Sequence, residues 1–121
     1  MWNVVDRRTE RSSKLDSALK LLLRNQRQRG ELDLIALVTT DGMLVAWDGP
    51  KEVCEELAAY APFMARGRAF AVDARRVRGV TVHAFLVERQ ELILVMRGHH
   101  TDVNAALALA SMRGAARILR G

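Results

Sequence analysis

Side chains able to do chemistry are few and scattered in this chain of 121 residues. His99, His100 and Asp102 form the one cluster of metal-ligand residue types. Adjacent histidines point in different directions, and no further Cys/His pair supplies a second half-site. The cluster therefore reads as a loop ahead of a helix cap. His83 has apolar neighbours on either side, which suits a hydrogen-bonded histidine on a strand face better than a general base. Cys54 could act as a nucleophile only where a base and a positive environment lowered its pKa. Its neighbours are Val53, Leu57 and Ala58, with Glu52, Glu55 and Glu56 close by, and acidic neighbours raise a thiol pKa. It reads as a small core or interface residue. Ser12, Ser13, Ser17 and Ser111 fall in helical or capping contexts, with no matched histidine and carboxylate. The eight glycines are dispersed and form neither a GxxxxGK[ST] nor a GxGxxG loop. The expectation is a non-enzyme that needs no metal and no cofactor.

The elements that must position these residues follow from apolar spacing. Residues 1–12 are polar and patternless apart from Trp2, Val4 and Val5, and read as a flexible N-terminal arm. The domain proper is then expected over residues 13–121. Ser12 or Ser13 can cap a helix whose stripe is Leu15, Ala18, Leu19, Leu22 and Leu23, with Gly30 as its stop. Leu32 to Thr39 reads as a strand, and its unbroken apolar run Leu34 to Val38 implies cover on both faces. Asp41-Gly42 signals a hairpin turn, and Met43 to Trp47 is the return strand. Asp48-Gly49-Pro50 ends it. Pro50 suits the start of a helix over Lys51 to Met64, in which Pro62 predicts a kink or a restart. Val77 to Arg97 is rich in β-branched residues. Val80, Val82 and Ala84 alternate with Thr81 and His83, Phe85-Leu86-Val87 suggests a bulge or corner, and Glu88 to Glu91 a turn. Leu92 to Met96 reads as a buried strand. Thr101 or Asp102 caps a last helix with the stripe Val103, Ala106, Leu107, Ala110, Gly114 and Ile118. The order predicts an α+β sandwich, one antiparallel sheet with helices on its faces.

Composition narrows the function classes. One compact domain fits this length, and half the residues are apolar, enough for a core. No apolar run approaches the ~20 residues that span a bilayer, and no secretory signal is visible, so a cytoplasmic location is expected. The single cysteine fits a reducing compartment. The net charge of +5 is unevenly spread. Residues 1–30 carry +5, residues 31–62 carry −6 and residues 63–121 carry +6. A nucleic-acid binder would more simply show one basic stripe with aromatics beside it, and aromatics are only 5% of this chain. Nucleic acid is not the expected partner.

The informative features are therefore surfaces. Val53, Cys54, Leu57, Ala58, Ala61 and Ala65 form one small-residue face, suited either to close helix pairing about a two-fold axis or to ordinary packing on a sheet. Arg75, Arg76 and Arg78 form either a solvated charge run or a contact for an acidic partner.

The segment Ala36 to Ala46, with its Thr39-Thr40-Asp41-Gly42-Met43 turn, followed by Pro50-Lys51-Glu52-Val53-Cys54-Glu55-Glu56-Leu57-Ala58-Ala59, resembles the first hairpin and middle helix of the Roadblock/LC7 family. The order of elements over residues 13–120 resembles it too. The likeness is greater to stand-alone bacterial members, which include a gliding-motility polarity regulator that activates a Ras-like GTPase, than to the eukaryotic dynein light chains. The resemblance implies a profilin-like αββαβββα sandwich and a non-catalytic module. It implies a homodimer, or a heterodimer with a roadblock paralogue, made by the middle helix and the edge strand after it. It also implies a small Ras-like GTPase as partner. Carried over, the helix from Lys51 is the dimer platform, and Asp41, Gly42 and Met43 are an exposed partner contact. Val77 to Arg97 is short for three strands, so the third strand is either trimmed or closed by a very tight hairpin. The leading expectation is a dimeric GTPase regulator or adaptor. The alternatives are a scaffold pairing only with another roadblock protein and a module for nucleic acid or anionic surfaces.

Overall fold

A computed structural model describes the backbone of residues 2–68, 72–99 and 101–121, and the side chains of residues 13–68, 72–99 and 105–121. The elements run α1 (Trp2–Gly30), β1 (Leu34–Thr39), β2 (Leu44–Asp48), α2 (Lys51–Ala65), β3 (Val80–Val87), β4 (Gln90–Arg97) and α3 (Thr101–Arg120). The four strands form one antiparallel sheet in the order β2-β1-β4-β3. The fold is the expected α+β arrangement, with α1 and α3 on one face of the sheet and α2 on the other.

Strand β1 sits between its neighbours and has no polar face. Ile35 and Leu37 join Leu19 and Leu23 of α1, Leu94 and Met96 of β4, and Leu107, Ala108 and Ala115 of α3 in one core. Leu34, Ala36 and Val38 face the other way, onto Cys54, Leu57, Ala58 and Ala61 of α2, with Ile93 and Val95 beside them. The period-2 geometry of a strand thus splits one apolar run between two cores.

Several local expectations are corrected. Helix α1 begins at Trp2, so residues 2–12 are its first turns and Ser12 and Ser13 lie inside it rather than cap it. That segment contains no Gly or Pro, and a helix nucleated by the Leu15 to Leu23 stripe extends through it. The side chains of Trp2, Val4 and Val5 lie outside the described residues. Gly30 is the last helical residue, and the left-handed position that stops the helix is Glu31, with φ 51°. Gly30 instead permits close approach, since a Cβ there would run into Leu107 Cδ2 of α3.

Helix α2 passes through Pro62 without a break and ends at Ala65. Pro62 lies one turn from the end and is buried, so the packing of its ring accompanies the lost N–H. The final carbonyls are met by Arg66 N to Pro62 O (3.2 Å) and Arg68 N to Phe63 O (2.8 Å). Among the described residues two strands, not three, follow α2. Among the described residues no strand lies between α2 and β3, and residues 74–79 are turns. The expected bulge at Phe85-Leu86-Val87 is absent. β3 and β4 pair in unbroken register from Val80↔Arg97 to Val87↔Gln90, leaving only Glu88 and Arg89 as the turn. Glu88 takes φ 58°, the positive value that the first position of a II′-type hairpin turn requires. The irregularity in the sheet falls between Leu37 and Val38, where β2 carries one extra residue. The buried stripe of α3 is also displaced. Leu107, Ala108, Ser111 and Ala115 face inward, whereas Ala106 and Ala110 are exposed. With alanine on nearly every face, period alone does not choose among them. Val103 lies outside the described side chains.

His83 occupies the strand face expected of it, but without its hydrogen bond. Nε2 is buried and unpartnered among the described residues, as is Thr81 Oγ1 two positions earlier on the same face. Burial lowers the His83 pKa from its ordinary 6.5. Protons therefore bind the unfolded chain more tightly, so this contribution to stability is present above pH ~6.5 and is lost as pH falls through the depressed folded value. Thermal melts from pH ~7.5 to ~5 should show stability declining with acidity, and His83→Leu should flatten that decline. A second expectation concerns Gly42, whose φ is +85° and whose missing Cβ would stand 3.2 Å from the Ala58 carbonyl oxygen. Gly42→Ala should cost about 1–3 kcal/mol in chemical denaturation, because both the turn and its seat on α2 are strained.

Candidate functional site

The hairpin between β1 and β2 is built as its residues dictate. Thr39 and Met43 close it, with Thr39 N donating to Met43 O (2.9 Å) and Gly42 N to Thr39 O (3.0 Å). Met43 N also donates to Thr39 Oγ1 (3.1 Å). The tip does not stand free, because Gly42 lies against the backbone of Ala58 and Ala59. This places the turn over the middle of α2. Pro50 takes the N-cap position of α2 in an extended conformation, and its carbonyl accepts from Cys54 N (3.0 Å).

Between turn and helix lies a groove of about 330 Å³, lined by Met43, Leu44, Trp47, Lys51, Glu55 and Ala58 together with Gly42. Its floor is apolar and its rim charged. Lys51 Nζ sits 5.8 Å from the centroid of the Trp47 ring and 3.8 Å from Glu55 Oε1. Met43 is 66% exposed at the mouth and Glu55 is exposed on the rim. An apolar floor with a Lys–Glu pair on the rim fits an apolar side chain flanked by polar groups on a partner protein. Of the acidic residues in 31–62 only Glu55 lines this groove, while Asp33, Asp48 and Glu56 pair with Arg97, Arg27 and Arg76.

The structure brings Gly42 and Met43 to this groove, leaves Asp41 exposed in the turn outside its lining, and places none of Arg75, Arg76 and Arg78 there. Arg76 Nη1 pairs with Glu56 Oε1 at 2.7 Å, and Tyr60 Oη donates to the same oxygen (3.4 Å). Arg76 therefore clips the turns after α2 to that helix, and the Glu56 carboxylate raises its pKa. Arg75 pairs with Asp73, whose Oδ1 also accepts from Arg75 N (3.0 Å). Arg78 is exposed. Two of the three cations thus serve local structure.

The small-residue face of α2 is also relocated. Cys54, Leu57, Ala58 and Ala61 are buried on the chain's own sheet, which is ordinary helix-on-sheet packing and leaves none of them for a partner. Val53 is half-buried against the same core and Ala65 is exposed. The outward face consists of Glu52, Glu55, Ala59 and Phe63, with Phe63 44% exposed. Phe63 was the missed residue. Its signal was an aromatic four positions after Ala59, on the face that carries Glu52 and Glu55.

Burial is the chief cause raising the Cys54 pKa, offset in part by Arg27 and Arg97 and reinforced by Asp48 rather than by the neighbouring glutamates. That favours the thiol and disfavours nucleophilic chemistry. His99 Nε2 lies 4.0 Å from Asp33 Oδ2, which also accepts from Arg97 Nε (3.3 Å). His100 and the Asp102 side chain lie outside the described residues. Among the described residues no group of three or more His, Cys, Asp or Glu side chains is placed to hold a metal ion, and no helix is long and apolar enough to cross a membrane.

No family model and no curated protein matches the sequence. Among solved structures, Myxococcus xanthus MglB is similar in fold, with a TM-score of 0.53 over 85% of each chain at 13% identity. Three helices around a four-stranded antiparallel sheet thus form a roadblock-like α+β fold.

Proposed function

We propose that this chain is a non-catalytic adaptor or regulator that pairs with itself and binds a small Ras-like GTPase in the cytoplasm. The observation that carries the reading is the docked hairpin. The roadblock-like arrangement of turn and helix here builds an apolar groove rimmed by the Lys51–Glu55 pair, a surface suited to a protein partner. A binding module can alter a GTPase's cycle without donating a catalytic residue, by selecting the conformation that hydrolyses or retains nucleotide.

Pairing is assigned to the outward face of α2. The Roadblock/LC7 mode also uses a strand directly after that helix, and turns occupy residues 74–79 here. Ala59 permits close approach and Phe63 supplies apolar area, so two copies of α2 crossing at these positions would bury both. Residues 13–121 would form this module.

The test is a pull-down and GTP-hydrolysis assay with each Ras-like protein encoded in the same genome, in both nucleotide states. Binding to at least one is expected, and Met43→Asp should weaken it about tenfold or more by placing a carboxylate at the apolar mouth. Failure to bind any of them in either state would overturn the GTPase reading and leave a scaffold that pairs only with another roadblock protein. Size-exclusion chromatography with light scattering should give a dimer mass for the native chain and a monomer mass for Phe63→Glu. A native monomer would overturn the pairing.

A further inference from the structure

A second concavity lies on the far side of the molecule from the hairpin groove. It has a volume of about 580 Å³ and runs between the outer edge of β3, at Ala84, Phe85 and Leu86, and the second half of α3. Phe85 and Met112 give it an apolar floor, Leu109 on α3 is 47% exposed, and Leu86, on the other face of β3, is 65% exposed. Arg113, Arg117 and Arg120 line the α3 side. All three are exposed, and among the described residues none forms an ion pair. Residues 105–121 contain no Asp or Glu.

The same groove borders an open row of backbone groups. β3 is an edge strand. Its two-residue turn makes Val87 and Gln90 the terminal hydrogen-bonded pair, so Phe85, His83 and Thr81 also bond to β4. Leu86, Ala84 and Val82 then direct N–H and C=O outward. The chain confirms the phase at the other end of the strand. Val80 N bonds away from the sheet, to Val77 O (3.0 Å), while Gly98 N bonds to Gly79 O (3.1 Å).

From this juxtaposition of open strand edge, apolar floor and unpaired arginines, we propose that β3 accepts an extended acidic segment of a partner protein as an added strand. The spacing matches. Alternate side chains of a strand recur every ~6.7 Å, and helix positions four apart recur every ~6 Å. Carboxylates at alternate positions of the added strand can therefore meet Arg113 and Arg117 in turn. The intervening side chains pack toward Leu86 on the opposite face of the strand. Backbone bonds to Val82, Ala84 and Leu86 supply register, and the arginines select acid. The inference uses neither the hairpin groove nor the outward face of α2, so it stands independently of the GTPase reading.

The test uses a fluorescein-labelled decapeptide of alternating glutamate and valine, with fluorescence anisotropy as readout. Controls are a peptide of equal composition with its glutamates grouped at one end, and a short oligodeoxythymidylate. The alternating peptide should bind and the controls should bind at least about tenfold more weakly. Ala84→Pro removes an outward N–H without touching the β3–β4 ladder, because proline is tolerated on an edge strand with its nitrogen facing solvent. It should weaken binding about tenfold or more while the circular dichroism spectrum is retained. R113E/R117E, on the exposed face of α3, should abolish binding and serves as the decisive variant if Ala84→Pro does not fold. Equal binding of the grouped peptide or the oligonucleotide would overturn the proposal in favour of a general anion patch. Unchanged binding by a folded Ala84→Pro variant would overturn strand addition. Light scattering that showed Ala84→Pro dissociating a native dimer would assign the edge to a second copy instead.

Discussion

The complete burial of β1 governs the rest of the structure. Leu34 to Val38 are each at most 1% exposed, and no polar side chain interrupts them. A strand with that composition needs cover on both faces. The sheet therefore cannot rest on one helical layer and leave its other face to water. One face takes α1 and α3, the other takes α2, and the five residues of β1 are divided between the two cores. Each fully buried aliphatic side chain of this kind contributes about 1.5–3 kcal/mol, so the strand anchors both layers at once.

That constraint also explains where the functional surfaces lie. Because α2 must cover Leu34, Ala36 and Val38, its small residues are occupied within the chain. What remains outward is Glu52, Glu55, Ala59 and Phe63. Because β1 leads directly into the hairpin, the turn arrives over the same helix, and the narrow glycine tip lets it settle on the Ala58 backbone. The groove beside Met43, Trp47 and Lys51 results from this contact. On the opposite side, the short chain between α2 and β3 leaves β3 as an edge, with α3 alongside it. The two concavities have different rims, a Lys51–Glu55 pair at the hairpin and three arginines at α3.

Much of the architecture was legible in the residues themselves. The Leu15 to Leu23 spacing, the apolar run in β1, the Asp41-Gly42 turn and Pro50 at the head of α2 each act through local physics. Glycine accepts positive φ, and proline forgoes an N–H that a first helical turn does not use. Misreadings came where local signals were neutral or outweighed. Pro62 should disfavour a helix, yet lies near enough to its end that little is lost. Residues 2–12 show no stripe, yet contain nothing that stops a helix. The alanines of α3 fit several faces equally.

The sequence by itself determined the two-layered cover of the sheet, the hairpin, and the lack of any familiar catalytic or phosphate-binding motif. These follow from periodicity of 2 or 3.6 residues and from the backbone limits of Gly and Pro, which act over a few residues. Only the tertiary structure decided which face of α2 is free, that Arg76 serves Glu56 rather than a partner, and that Arg113 and Arg117 stand beside an open strand edge. The physical reason is that availability is a property of pairs distant along the chain. Whether a side chain faces water depends on what the fold brings against it, and residue identity alone carries no record of that neighbour.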